Sequence, residues 1–152
     1  MTPTSSAEAT ARVALFAGSF RPFTKGHADI VARGLELFDR IIIGIGINSA
    51  KSRTADDIDA IKALYRGNPR VSVDTYTCLT VDFARSCGAK FLLRGVRSTK
   101  DFEYERDLAD INRQLSGLET VILFSRPEYA AISSSVVREL QAYGHDVSQL
   151  LP

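Results

Sequence analysis

The sequence lacks the features that would mark a membrane, secreted or general nucleic-acid-binding protein. No run approaches the about 18 apolar residues that a membrane-spanning helix needs. The first ten residues, Met1–Thr10, have neither the basic start nor the apolar core of a signal peptide, so residues 1–11 are predicted to be a disordered or frayed leader. The formal net charge of +1 gives no reason to expect a nucleic-acid or membrane-surface partner.

Cysteine is scarce as well. Cys78 and Cys87 are the only two, and no further cysteine or histidine stands near them at metal-ligand spacing. The pattern indicates two reduced thiols packed as small apolar groups. We therefore expect a cytoplasmic protein with no structural metal.

Several catalytic motifs are also absent. The sequence contains no G-x-x-x-x-G-K-[ST], and no G-x-G-x-x-G follows its first strand-like run. These absences disfavour P-loop hydrolases and dinucleotide dehydrogenases. No Ser-His-Asp or Cys-His set at recognisable spacing offers a covalent nucleophile.

What is present fits one α/β domain. The chain has 152 residues, of which 45% are hydrophobic and 24% charged, as in ordinary globular proteins. Short apolar runs alternate with helix-period segments, which predicts a parallel sheet covered by helices. The fold class is α/β: a single-domain, Rossmann-like, doubly wound five-stranded parallel sheet with helices on both faces, over residues 12–152. The predicted strands are Val13–Ala17, Ile41–Ile47, Val71–Asp74, Phe91–Leu93 and Thr120–Phe124.

Four helices are predicted between and after these strands. The first starts near Ala28, and the second opens on a Thr54-x-x-Asp57 capping pattern and stops at 67–69. The third is marked by a period from Phe102 to Leu115, and the last begins near Ser133.

Two glycines share one face of the second predicted strand. Because Gly44 and Gly46 carry no side chain, something is expected to approach the backbone closely there. A ligand and the first helix are both candidates, with helix packing slightly favoured.

The segment Gly18–His27 is the first candidate for chemistry. It joins a buried strand to a helix, where unpaired N–H groups and the helix dipole attract anions. Ligands of parallel sheets bind at the carboxyl ends of the strands. That edge is predicted to collect cationic and hydroxyl side chains suited to several phosphates: His27, Lys51, Arg94, Arg97, Ser133, Ser134 and Ser135.

Each of these residues has an ordinary structural alternative. A histidine near a helix start can be a surface residue or a cap, and Ser133 can be only an N-cap. Arg94 and Arg97 could pair with Asp101 or Glu105. Only their placement on one predicted edge favours a phosphate site.

Two motifs carry a resemblance to a known superfamily. Thr24-x-Gly26-His27 and the run Ile132 to Arg138 resemble the paired signatures of nucleotidylyltransferases. The blocks Leu93–Arg97 and Asp101–Glu105 narrow the resemblance to the bacterial phosphopantetheine adenylyltransferase family, over about residues 12–152.

The resemblance implies an enzyme that transfers the adenylyl group of ATP to 4′-phosphopantetheine. The products would be dephospho-coenzyme A and pyrophosphate, formed by direct in-line displacement, with Mg²⁺ carried on the ATP phosphates. It also implies a homohexamer and feedback by coenzyme A. No metal ligand from the protein is expected, because Mg²⁺ commonly binds substrate phosphates with few protein ligands.

The resemblance assigns roles residue by residue. His27 would be the catalytic transition-state stabiliser. Phosphopantetheine would contact Ser19, Lys51, Thr80 and Arg94. ATP would contact Ser19, Phe20, His27, Gly95, Val96, Arg97, Glu105, Tyr129, Ala130, Ala131, Ile132, Ser133, Ser134 and Ser135.

The chain departs from the family pattern at Arg21, where an aspartate is usual. This exchange could add a phosphate ligand or disturb the turn, and it is the only support for a non-catalytic nucleotide sensor. An enzyme using another small phosphorylated acceptor is a further alternative, which the Arg94–Arg97 block disfavours.

Overall fold

The computed structural model describes residues 11–48 and 55–152. Its strands are β1 (Val13–Gly18), β2 (Arg40–Gly46), β3 (Val71–Tyr76), β4 (Phe91–Val96) and β5 (Glu119–Phe124). Its helices are α1 (Lys25–Gly34), α2 (Ala55–Tyr65), α3 (Thr80–Ser86), α4 (Thr99–Ser116) and α5 (Ser134–Ala142). Two short 3₁₀ helices cover Pro127–Tyr129 and Ser148–Leu150.

The five strands form one parallel sheet in the order β3-β2-β1-β4-β5. In the central strand, Leu15 pairs with Ile42 of β2 and with Leu92 of β4. The strand order reverses between β1 and β4, where a parallel sheet opens a crevice at its carboxyl edge. The predicted fold class is confirmed.

Helices cover both faces of the sheet, as predicted. On one face α1 and α2 pack Ile30, Val31 and Ile61 against a layer of β-strand isoleucines. On the other face α3 buries Val81 and Phe83 against Leu15 and its neighbours, and α4 packs beside α3 over β4 and β5.

The helix boundaries agree with the sequence with two exceptions. α1 begins at Lys25, three residues before Ala28. α3 has no counterpart among the predicted helices, because its seven residues are too few to display a helical period. Thr54 of the predicted capping pattern lies outside the described residues.

The close approach expected at the β2 glycines is real, but the first helix is not its cause. A Cβ on Gly44 would lie 2.7 Å from Cδ1 of Leu15 and 3.0 Å from the ring of Phe83, on α3. α1 covers the opposite face. At Gly46 the nearest group is the ring of Tyr76.

Within residues 11–48 and 55–152, every helix is too short or too polar to cross a bilayer.

The crowding at Gly44 generates a stability prediction. Gly44→Ala is expected to lower the free energy of unfolding by about 1–3 kcal/mol, because the added methyl group must displace packed side chains. Gly67→Ala is the matched control, since no heavy atom lies within 4 Å of its built Cβ. Urea unfolding of both variants measures the difference, and equal midpoints would contradict the packing seen at β2.

Candidate functional site

The turn from β1 into α1 is closed by a reciprocal pair of hydrogen bonds. The His27 N–H donates to the Thr24 hydroxyl at 3.4 Å, and the Thr24 N–H donates to Nδ1 of His27 at 2.9 Å. This is a capping box with histidine at its third helical position. Thr24 is buried, so the N-terminus of α1 is held in place from within.

These bonds determine the tautomer of His27. Since Nδ1 accepts a hydrogen bond, the neutral ring carries its proton on Nε2 and donates from there. Burial, and then the positive charges of Arg94 and Arg97, lower the pKa of His27 from 6.5 to about 4. His27 is therefore a neutral, oriented donor at neutral pH.

Three phenylalanine rings hold the imidazole laterally. The centroid of His27 lies 4.9 Å from that of Phe20, 5.3 Å from Phe23 and 6.2 Å from Phe16. Phe20 adopts a positive φ of 46°, which is strained for a residue other than glycine. Its side chain is buried and packs against the imidazole.

Arg94 projects from β4 and pairs with Glu105 of α4. Its Nε and Nη2 donate to the two carboxylate oxygens at 2.9 and 2.6 Å, and Nη1 donates to the Ala17 carbonyl. The Glu105 side chain is only 7% exposed, and the two-point contact fixes the plane of the guanidinium. Three of its five N–H groups are thus used, and the described residues offer the other two no acceptor.

A cleft of about 460 Å³ opens beside Arg94, between α3, α4 and the second face of the sheet. Its polar and charged lining residues include Ser19, Thr80, Arg94 and Glu105, and the Thr80 hydroxyl is 2.9 Å from the Tyr76 hydroxyl. Its lining also includes the apolar or aromatic side chains of Leu15, Leu79, Leu92, Tyr104, Leu108, Ala109 and Leu115, together with Asn112. We call it the sheet-edge cleft.

A second cavity of about 420 Å³ lies beyond β4 and β5. We call it the β4–β5 cavity; it is lined by Val96, Arg97, Ser98, Thr99, Phe102, Phe124 and Ser125. Nε of Arg97 is 3.1 Å from Asp101, an ion pair that is partly exposed. Arg94 lines one cavity and Arg97 the other, and both charges act on His27.

The serine motif is attached to the β1–α1 turn. The Ser134 hydroxyl donates to the Pro22 carbonyl at 2.8 Å, and Arg138 donates to the Arg21 carbonyl at 2.6 Å. Ser133 is the N-cap of α5, which is the structural role that the sequence analysis gave as the alternative to phosphate binding. α5 therefore begins beside the turn that carries His27.

The structure brings together most of the residues predicted for the acceptor. Ser19, Thr80 and Arg94 share the sheet-edge cleft, whereas Lys51 lies outside the described residues. Both arginines also form the ion pairs that the sequence analysis gave as their structural alternatives: Arg94 pairs with Glu105, and Arg97 pairs with Asp101. The predicted ATP contact of Glu105 stays a prediction, since its carboxylate faces Arg94.

Other residues that were predicted to contact ATP lie in β4 or near α1. A Cβ on Gly95 would lie 3.0 Å from Ile30, so this glycine lets α1 pack closely. Tyr129 lies near Gly26. Tyr129 to Ser135 follow one another from the end of the first 3₁₀ helix into α5.

The sequence analysis did not identify the residues of α4 that line the cleft. Tyr104, Leu108 and Asn112 stand at four-residue spacing, which places them on one face of α4. The helical period predicts that these residues share a face, but it does not predict the cavity beside that face.

No cluster of three or more histidine, cysteine or acidic side chains with metal-binding geometry occurs in the described parts of the chain. Glu105 and Asp101, the acidic partners of Arg94 and Arg97, are held in ion pairs with these arginines.

Comparison with known proteins gives a family match and close relatives. Residues 15–140 match the cytidylyltransferase-like family model. A phosphopantetheine adenylyltransferase of Bacteroides thetaiotaomicron is 50% identical over 144 residues, 93% of this chain and 95% of that protein. The enzyme of the same description from Porphyromonas gingivalis is 54% identical over 144 residues, 92% of this chain and 94% of that protein.

A solved structure shares the fold at low sequence identity. It is a bifunctional NMN adenylyltransferase/ADP ribose pyrophosphatase from Francisella tularensis, complexed with AMP and a Mn ion. The TM-score is 0.66 and the identity 13%, over 93% of this chain but 44% of that larger protein.

The lowered pKa of His27 generates a titration prediction. In ¹H–¹⁵N spectra, one imidazole is expected to stay neutral, with its proton on Nε2, from pH 8 down to about 5. His27→Ala assigns the signal, since His145 is the only other histidine. A His27 midpoint near 6.5 would contradict the burial and the charge effect described for this ring.

The same shift predicts a stability difference. The unfolded chain takes up a proton near pH 6.5 and the folded chain only near 4, so folded-state stability falls as pH drops through that window. His27→Gln is expected to lose less stability than the parent over this window. An identical pH dependence in both proteins would contradict the prediction.

Proposed function

The chain belongs to the phosphopantetheine adenylyltransferase family, and we propose that it transfers the adenylyl group of ATP to 4′-phosphopantetheine. The products are dephospho-coenzyme A and pyrophosphate. Besides the relatives, one observation carries the proposal: Ser19, Thr80 and Arg94 line the same cleft as a set of apolar side chains. The acceptor likewise combines a charged phosphate with a long, uncharged arm.

The acceptor phosphate would lie beside Arg94 in the sheet-edge cleft. The two N–H groups of Arg94 not used by described residues can bind phosphate oxygens, while Glu105 holds the guanidinium plane. The pantetheine arm would extend along Leu79, Leu108 and Asn112. Lys51 remains a proposed phosphate ligand.

ATP would lie on the other side of His27. The N-termini of α1 and α5 adjoin each other, and both favour negative charge. The triphosphate would therefore contact the α1 turn and Ser133 to Ser135. The adenosine end would occupy the β4–β5 cavity beside Val96 and Arg97.

We infer a single direct displacement. A phosphate oxygen of the acceptor forms the new bond to the α-phosphorus of ATP as the bond to the leaving pyrophosphate breaks. His27 is poorly suited as a nucleophile because Nδ1 already accepts the Thr24 N–H and Nε2 carries the proton. It would instead donate from Nε2 to the α-phosphate as negative charge builds up.

We propose that Mg²⁺ enters with the ATP phosphates. The described side chains at the site are mainly cationic or hydroxylic, and its carboxylates are paired with arginines, which suits a metal held by phosphate oxygens and water. Such an ion would neutralise charge on the phosphates. The neighbour complexed with AMP and a Mn ion is consistent with a divalent cation.

We also propose a homohexamer, acting in the cytoplasm. α4 buries only Glu105, while Tyr104, Ile111 and Leu115 are more than half exposed. Ile111 does not line the sheet-edge cleft, and exposed apolar side chains on this helix favour association between copies. Cys78 and Cys87 are free thiols, as is usual in a reducing compartment.

The activity is tested by pyrophosphate release from ATP, Mg²⁺ and phosphopantetheine. We expect release with this acceptor and little with nicotinate mononucleotide or glycerol 3-phosphate. His27→Ala is expected to bind ATP but to lose roughly 10²–10³-fold in kcat, since it lacks the oriented donor.

His145→Ala is the matched control, because His145 is exposed and belongs to neither cavity. It should turn over like the parent protein. ATP binding by the parent without release from any acceptor would favour a nucleotide sensor. Parent-like kcat in His27→Ala would remove His27 from the mechanism.

The oligomer is tested by light scattering after size-exclusion chromatography. We expect a mass near six chains for the parent and smaller species for Ile111→Asp, which places a charge among the exposed apolar side chains of α4. Leu37→Asp, at a 48%-exposed leucine away from α4, should remain hexameric. A monomeric parent, or equal dissociation of both variants, would contradict the proposed interface.

A further inference from the structure

Asp29 lies two residues after His27 on α1 and binds two arginines at once. Its Oδ2 is 3.1 Å from Nη1 of Arg33, and its Oδ1 is 3.2 Å from Nε of Arg126. The Asp29 side chain is only 11% exposed. A nearly buried carboxylate with one cation on each oxygen is held in one orientation.

These contacts connect α1 with the segment that follows β5. Besides contacting Asp29, Nη1 of Arg33 donates to the carbonyl of Phe124, the last residue of β5, at 2.8 Å. Arg126 is the N-cap of the 3₁₀ helix Pro127–Tyr129. α1 therefore holds the start of the segment 125–133.

The other end of this segment is attached to the turn that precedes α1. Ser134 donates to the Pro22 carbonyl at 2.8 Å, and Arg138 donates to the Arg21 carbonyl. In between, Tyr129 lies against the first turn of α1, since a Cβ on Gly26 would be 3.8 Å from Cβ of Tyr129. The segment is thus fixed at both ends relative to His27.

We propose that Asp29 is a positioning residue for the nucleotide. Through Arg33 and Arg126 it sets the place of segment 125–133 relative to His27, which lies on the same helix. This inference rests on the proposed function, because that segment contains residues assigned to ATP. Asp29 itself contacts neither substrate nor reacting atoms in this assignment.

The test uses Asp29→Asn and Arg126→Gln in the full chain. Each change removes one charge of the contact; Asp29→Asn also preserves the size of the side chain, whereas Arg126→Gln shortens it. We expect both variants to bind ATP, titrated without acceptor, roughly threefold to tenfold more weakly, with phosphopantetheine affinity unchanged. The double variant should be little worse than either single one, because both remove one shared contact.

Amide hydrogen exchange provides a readout that needs no nucleotide. Exchange over residues 125–133 should be faster in both variants than in the parent. Asp39→Asn is the matched control: Asp39 accepts the Arg12 N–H at 2.7 Å at the amino end of β2, away from the site. It should change neither ATP affinity nor exchange in this segment.

The outcomes separate the inference from the proposed function. Parent-like ATP affinity and exchange in both Asp29→Asn and Arg126→Gln would overturn the positioning role, as would an equal loss in Asp39→Asn. If the parent itself binds no ATP, the proposed function is wrong and Asp29 positions no nucleotide. Faster exchange over 125–133 in the two variants would then still support the part of the inference that Asp29 fixes this segment, and parent-like exchange would overturn that part as well.

Discussion

The hydrogen bond from the Thr24 N–H to Nδ1 of His27 is the constraint on which the chemistry of the site depends. It uses a backbone donor that the start of any helix leaves without a helical partner, and it fixes the imidazole ring in return. One bond thus closes the turn and selects the Nε2–H tautomer. Burial and two nearby arginines then keep the ring neutral. A flexible or protonated histidine would not provide the same oriented donor.

The parallel sheet supplies the second constraint, since the carboxyl ends of its strands meet at one edge. Arg94 at the end of β4 therefore reaches both the Ala17 carbonyl of β1 and Glu105 of α4. Its ordinary role as an ion-pair partner and its proposed role as a phosphate ligand are compatible, because the pair orients the guanidinium without using all its donors. The two roles of Ser133 are compatible as well, because the residue that caps α5 stands at the helix N-terminus that is proposed to contact phosphate.

The sheet, its helix-covered faces and the edge holding Ser19, Thr80 and Arg94 could be predicted from alternating apolar runs and from motif resemblance. Local spacing also placed His27 near the start of the first helix, although α1 begins three residues earlier than predicted. The helix α3 escaped prediction because seven residues give no clear period. The contact between Asp29 and Arg126 joins residues far apart in sequence, so no local pattern reveals it. The apolar period of α4 predicted a helix correctly, but not that Ile111 and Leu115 would be exposed.

In the proposed mechanism, adenylyl transfer occurs in one step, with His27 as a neutral donor and not as a nucleophile. The most direct measurement uses ATP with one sulfur and one labelled oxygen on the α-phosphorus, of known configuration, with phosphopantetheine as acceptor. Each in-line displacement inverts the configuration at phosphorus. We therefore expect inversion in the product of the single-step reaction. Retention would require two displacements through a covalent intermediate, and would contradict the single-step mechanism.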